Sequence, residues 1–179
     1  MKLSIRGANT SPTPPLGHTA SPETCERSIS LNRTAAEAFA GDHHALSKLL
    51  ARLHPRVVLY CRARLLGTSV ASFADDLAHQ CTLDVITRMS DTISADSRIE
   101  TSAYELASQR IAAIPQSHNS DGQFKRPRRL TDDQREVLVL RIAVGLTADM
   151  TASTLRATRS SVLLVQHQAL RAWTVPDRS

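Results

Sequence analysis

Residues 130–173, LTDDQREVLVLRIAVGLTADMTASTLRATRSSVLLVQHQALRAW, restrict the fold more than any other stretch, because a helix start signal stands before each of three consecutive helical patterns. Thr131 precedes Gln134 by three residues, a capping-box spacing in which hydroxyl and amide satisfy each other's end of a helix. Val137, Leu138, Leu140, Arg141 and Val144 follow at helical spacing, which predicts a first helix to about Ala143. Gly145 supplies the left-handed residue that closes it, and Thr147 caps a short second helix through Leu155. Arg156 and Ala157 make a tight turn, and Thr158 caps a third helix with Val162, Val165, Ala169, Leu170 and Trp173 as one apolar stripe. Two short helices joined by such a turn describe a helix-turn-helix, whose later helix enters the major groove. Arg159, Ser160, Ser161, Gln166 and Arg171 would then meet DNA. Periodicity alone suits a three-helix protein interface equally well.

Charge separates these readings. From Phe124 to Trp173 nine Lys or Arg (Lys125, Arg126, Arg128, Arg129, Arg135, Arg141, Arg156, Arg159, Arg171) face four acids (Asp132, Asp133, Glu136, Asp149). That surplus equals the net charge of the whole chain, +5. The excess therefore sits on the module expected to meet a phosphate backbone, where bound counterions would be released.

The rest of the chain reads as a second helical body. Aromatic residues make up 3% of the 179 and hydrophobic ones 41%, which favours packing by Leu, Val, Ile and Ala over a β sandwich. No run approaches the 18 apolar residues of a membrane span, and the N-terminus lacks the continuous apolar core of a secretory signal, so a cytoplasmic protein without membrane insertion is expected. Cys25, Cys61 and Cys81 are odd in number and widely spaced, which predicts reduced thiols, with Cys61 and Cys81 as small core residues. His43 and His44 are adjacent and would point about 100 degrees apart on a helix, with nothing to complete a ligand set, so no metal site is assigned.

Residues 1–33, with Pro12, Pro14, Pro15 and Pro22 among Ser, Thr and Gly, are expected to be a flexible tail. A four-helix domain is expected over 34–114. Its first helix runs from Thr34 with Ala38, Leu46, Leu49, Leu50 and Leu53 inward, and Pro55 opens a second that Gly67 ends. Phe73, Leu77, Cys81, Val85 and Met89 form the inner stripe of a third, with Asp75 and Asp76 against the positive end of its dipole. Ser97 and Glu100 stand at capping-box spacing ahead of a fourth, which Pro115 closes. Residues 115–129, PQSHNSDGQFKRPRR, have the composition of a basic linker, and at 3.3 to 3.6 Å per residue they reach roughly 50 Å. Residues 174–179 are a C-terminal tail.

The run QREVLVLRIAVGLTADMTASTL followed by VQHQALRAW resembles region 4 of the extracytoplasmic-function (group IV) sigma factors, notably the actinobacterial sigma-D-like branch, down to the QH pair at Gln166 and His167. AGDHHALSKLLARLHPRVVLYCRARLLG and FADDLAHQCTLDVIT resemble region 2 of the same family. The resemblance implies an all-α fold of two small helical domains, region 2 and region 4, joined by a short linker. It also implies a subunit of RNA polymerase that directs transcription initiation. Thr158, Arg159, Ser160, Ser161, Gln166, His167 and Arg171 would read the minus-35 element, and Tyr104 and Arg110 would assist at minus-10. Asp75, Asp76, Leu77 and Gln80 would bind core polymerase. The implied partners are core RNA polymerase, through its β′ clamp helices and β flap, promoter DNA, and an anti-sigma factor.

Departures from the family pattern are specific. Arg156 stands where the family has Gly, Ser160 and Ser161 where it has Pro-Gly, and Leu163 and Gln168 where it has Arg. His79 and Gln80 replace Gln and Glu, while Ile99 and Ser102 replace Phe, and Ala113 and Gln116 replace Asp and Arg. Strand opening relies on aromatic stacking and basic grooves, which this helix supplies sparsely. A second reading therefore stands beside the first: a sigma-like regulatory protein that binds polymerase or an anti-sigma factor without opening promoters. Neither a phosphate loop nor a Ser/His/Asp set is present, so no enzyme, catalytic residue or cofactor is expected.

Overall fold

The computed structural model of the chain describes residues 22–91, 98–114 and 130–174, with side chains over 30–88, 98–114 and 130–173. The linker expected over 115–129, the tail over 174–179 and Ser97 lie outside those described in full. The fold is all-α, as the patterning predicts: α1 Pro22–Phe39, α2 His43–Leu65, α3 Ala74–Asp91, α4 Ile99–Ala113, α5 Asp132–Leu138, α6 Ala148–Thr154 and α7 Arg159–Thr174. A 3-10 turn, Ala71–Phe73, leads into α3, and a π-helical turn, Val139–Ala143, continues α5.

The N-terminal boundaries differ from those expected. Helix begins at Pro22, inside the stretch assigned to a tail, because Leu31 and Ala35 are buried against the neighbouring helices. Pro22 suits the first helical position, where no amide hydrogen is needed. The helix expected from Thr34 to Pro55 is broken at Gly41, whose φ of +100 turns the chain. Asp42 then caps α2 by accepting from His44 N at 2.8 Å and Ala45 N at 3.1 Å. Those two amides, Ala45 first, hold the Asp42 carboxyl below its ordinary range.

Pro55 does not open a new helix. It lies inside the 23 residues of α2. An interior proline costs about 3 kcal/mol by removing one hydrogen bond and crowding the preceding turn. Here the ring is exposed, while Leu49, Leu53, Val57, Tyr60, Cys61 and Leu65 continue one buried stripe through it. Burial of each large apolar side chain contributes about 1.5 to 3 kcal/mol, so the stripe outweighs the break.

The inner face of α3 is also rotated from the expected one. Ala74, Ala78, Cys81, Thr82 and Val85 are buried, whereas Phe73 is 61% exposed. Glu100 does not close a capping box on α4. Its carboxylate is buried, takes a 2.7 Å ion pair from Arg56 and accepts from the Tyr104 hydroxyl at 3.2 Å. In the C-terminal half the predicted signals match the backbone. The Thr131–Gln134 capping box is complete, Gly145 holds φ +80, and Thr147 accepts from Met150 N at 3.1 Å.

Five consecutive residues, Glu136 to Leu140, are buried, which one α-helical face against one neighbour cannot achieve. The π turn and two different partners explain it. Val137 packs with Ala152 and Val162, inside the helix-turn-helix. Val139 and Leu140, with Leu146 and Met150, join the same core as Leu53, Tyr60, Ile99 and Tyr104. The two bodies expected to be separate share one core in this arrangement.

Candidate nucleic-acid and polymerase surfaces

Helix α7 is held by its apolar side. Val162 and Ala169 are buried beneath it, and residues at intervals of three and four from Ser160 fall opposite them. That outer stripe is Ser160, Leu164, His167 and Arg171, all exposed. Thr158 caps the helix by accepting from Ser161 N at 3.2 Å, which leaves Arg159, Ser160 and Ser161 exposed on the first turn. Arg159 Nε lies 3.8 Å from Asp149, a contact between two half-exposed groups that water screens. Gln166 is placed differently. It is half-buried, and its amide oxygen accepts from Arg141 Nε at 3.0 Å while Arg141 also donates to the Leu146 carbonyl. Partial burial, then the nearby Arg159 charge, holds the Arg141 guanidinium below its ordinary value. The structure thus gathers the predicted α7 residues on one exposed end and edge, with Gln166 fixed from below.

Sequence patterning missed two features here. Leu164 is 58% exposed within the outer stripe, so that stripe is not wholly polar. Leu170 and Trp173, assigned to the inner stripe, instead line an open apolar groove of about 420 Å³ with Ala63, Leu66, Leu138 and Ile142. That groove forms where the end of α2 and α7 meet α5 and the π turn, so periodicity could not reveal it.

On α3, Asp75, Asp76 and Gln80 are exposed and Leu77 is half-buried against the core. Asp75 already has a partner: Arg62 donates to its two oxygens at 2.7 and 2.5 Å, and this bond keeps the Asp75 carboxyl below its ordinary range. Asp76, Gln80 and Leu83 share the outward face, and exposed Phe73 stands just ahead of them. Phe73, expected in the core, therefore belongs to this mixed acidic and apolar surface. His79 makes an edge-to-face ring contact with His54 at 5.7 Å.

The residues expected at minus-10 are placed inside. Tyr104 is fully buried, its ring 5.4 Å from that of Tyr60, and burial raises its hydroxyl pKa far above the ordinary value. A base cannot stack on it in this arrangement. Arg110 is ion-paired with Asp84 on α3. Among the described residues no three His, Cys, Asp or Glu side chains gather to hold a metal ion, and no helix is long and apolar enough to cross a membrane.

The fold is thus an all-helical body with an acidic helix start in its first half and a helix-turn-helix at its end. No family model matches the sequence. The sigma factor SigD of Mycobacterium tuberculosis is 30% identical, with 84% of this chain and 85% of SigD covered. ShbA of Streptomyces griseus, another such sigma factor, is 29% identical over 74% of this chain and 87% of its own. The chain belongs to the extracytoplasmic-function (ECF) RNA polymerase sigma factors. The solved structure of CnrH in complex with the cytosolic domain of CnrY has the same fold, with a TM-score of 0.64 at 18% identity, covering 79% of this chain and 92% of CnrH.

Proposed function

We propose that the chain acts in the cytoplasm as a promoter-specific initiation subunit, with α3 docking on core RNA polymerase and α7 reading the minus-35 element. The observation that carries this is the exposed side of α7, where Arg159, Ser160 and Ser161 on the first turn and His167 and Arg171 further along are presented by a capped helix whose inner face is buried. Arg supplies paired donors for guanine and for phosphate, and the hydroxyls supply short donors near the backbone. Gln166, oriented by Arg141, offers its amide nitrogen rather than the oxygen already bonded. On α3, Asp76, Gln80 and Leu83, with Asp75 held by Arg62, form the surface suited to the β′ clamp helices. The apolar groove lined by Leu66, Ile142 and Trp173 suits the β flap. An anti-sigma factor is the further partner that the family implies.

The second reading, a sigma-like regulator that binds polymerase without opening promoters, is favoured by one observation: Tyr104 is enclosed and Arg110 is engaged by Asp84. Run-off transcription with purified core polymerase on a library of promoter fragments separates the two. Discrete transcripts that depend on this chain support initiation. Co-purification with core and no transcript from any fragment supports the regulator.

A further inference from the structure

The outer stripe of α7 is polar at its two ends and apolar in its first half. Ser160 opens it, Arg171 closes it, and Leu164 and His167 follow Ser160 at intervals of four and three. Between Ser160 and His167 that stripe carries Leu164 alone, 58% exposed, with Leu163 beside it around the helix at 42%. Holding α7 to the body falls to Val162 and Ala169 on the inner face. The two leucines are thus turned outward on the side of the helix that carries the hydroxyls and the cation.

No polar side chain can stand in for Leu164 at its level. Ser160 lies about 6 Å before it along the axis and His167 about 4.5 Å after it, at 1.5 Å rise per residue. Each gap exceeds the 3.4 Å step between base pairs. Gln166 is half-buried on the flank, and its amide oxygen is taken by Arg141. A base pair under the middle of α7 therefore meets carbon.

In the major groove an alkyl group has one complementary feature, the C5 methyl of thymine. Against the amino, ring-nitrogen and carbonyl edges of the other bases it would displace water and return no hydrogen bond. Against a methyl group it removes apolar surface on both sides from water. Given the proposed reading of minus-35 by α7, we infer that Leu164 is a specificity-determining residue that packs on the methyl group of a thymine. Leu163 borders the same contact. The hydroxyl of Ser160 and the guanidinium of Arg171 fix the register on either side.

The test uses the full chain, alone and assembled with core RNA polymerase, on duplexes selected from a library randomised around minus-35. Each thymine of the selected duplex is replaced in turn by uracil, which pairs identically and lacks only the methyl group. At one position, or two adjacent ones, uracil should weaken wild-type binding about fourfold, the equivalent of one buried carbon. Leu164→Ala should lose the same factor on the thymine duplex and be indifferent to uracil there. Its salt slope should match the wild type, because no phosphate contact is lost. Its melting temperature should match as well, since the side chain lies outside the core. Wild-type binding that ignores the methyl group at every thymine would overturn the inference. So would a uracil penalty that survives in both Leu164→Ala and Leu163→Ala. In either case a selected sequence would still leave α7 as the reading helix. Selection of no sequence would count against that function and take the thymine contact with it.

Discussion

Glu100 shows what burial does to a charge in this core. Its carboxyl is pushed above the ordinary carboxylate value of 4.5 by loss of water, with the Arg56 charge and the Tyr104 hydroxyl opposing the shift. Between that value and the raised one the folded chain holds more protons than the unfolded chain, so stability from this group is complete below 4.5 and is lost as pH rises through the folded value. Glu100→Gln is expected to flatten that stretch of the pH profile. Urea midpoints at pH 4.5 and 7 should lie closer together in the variant, and an unchanged gap would remove Glu100 as the source. Arg159 poses the opposite case, an exposed cation whose nearest acid is screened. Arg159→Ala is expected to leave the fold intact, weaken binding to a minus-35 duplex and lower the slope of log affinity against log salt by about 0.9. A gel-shift titration over several salt concentrations reads both, and an unaltered slope would show that Arg159 touches no phosphate.

At the scale of elements, α3 carries the clearest division of labour. One side, Ala78, Cys81 and Val85, is buried, and burial pushes the thiol of neighbouring Cys61 on α2 up to about 12, which leaves it inert. The other side presents Asp76, Gln80 and Leu83, with Asp75 held by Arg62. Asp75→Lys with Asp76→Lys is expected to abolish association with core polymerase, because the first substitution repels Arg62 and the second inverts the exposed charge. The fold should persist, since an exposed pair contributes little to stability. Undiminished co-purification of a folded double variant would place the docking surface elsewhere. Helix α2 makes a different point: a proline read from local rules as a helix start became an interior residue because the buried side chains on one face, Leu49 to Leu65, had a common partner surface.

At the scale of the molecule, the shared core decides how the chain unfolds. Leu140 belongs to the C-terminal half by sequence and to the N-terminal core by packing, fully buried beside Val139 and Leu146. Leu140→Ala is expected to cost about 2 to 5 kcal/mol, from lost transfer energy and the cavity left behind. Because the core is common, the loss should appear in one transition that includes both halves. Calorimetry that resolves two transitions, with only the later half shifted, would show that the cores are energetically independent. The same packing moves Tyr104 from the base-stacking role that the family resemblance implies to a place beside Tyr60.

The sequence by itself determined the helices whose signals are local. Thr131 with Gln134, Thr147 and Thr158 mark their starts, and Gly67 and Gly145 mark left-handed turns, because caps and φ depend on residues within one turn of chain. It also determined which polar residues line the outer side of α7, since a buried Val162 and Ala169 fix the opposite face. Tertiary structure alone decided the rest. Whether Pro55 ends a helix, which side of Phe73 and Trp173 meets water, and where Glu100, Glu136 and Arg156 find their partners depend on surfaces brought together across as many as 76 residues. Burial and ion pairing are set by neighbours in space, and a helical repeat carries no record of which neighbour arrives.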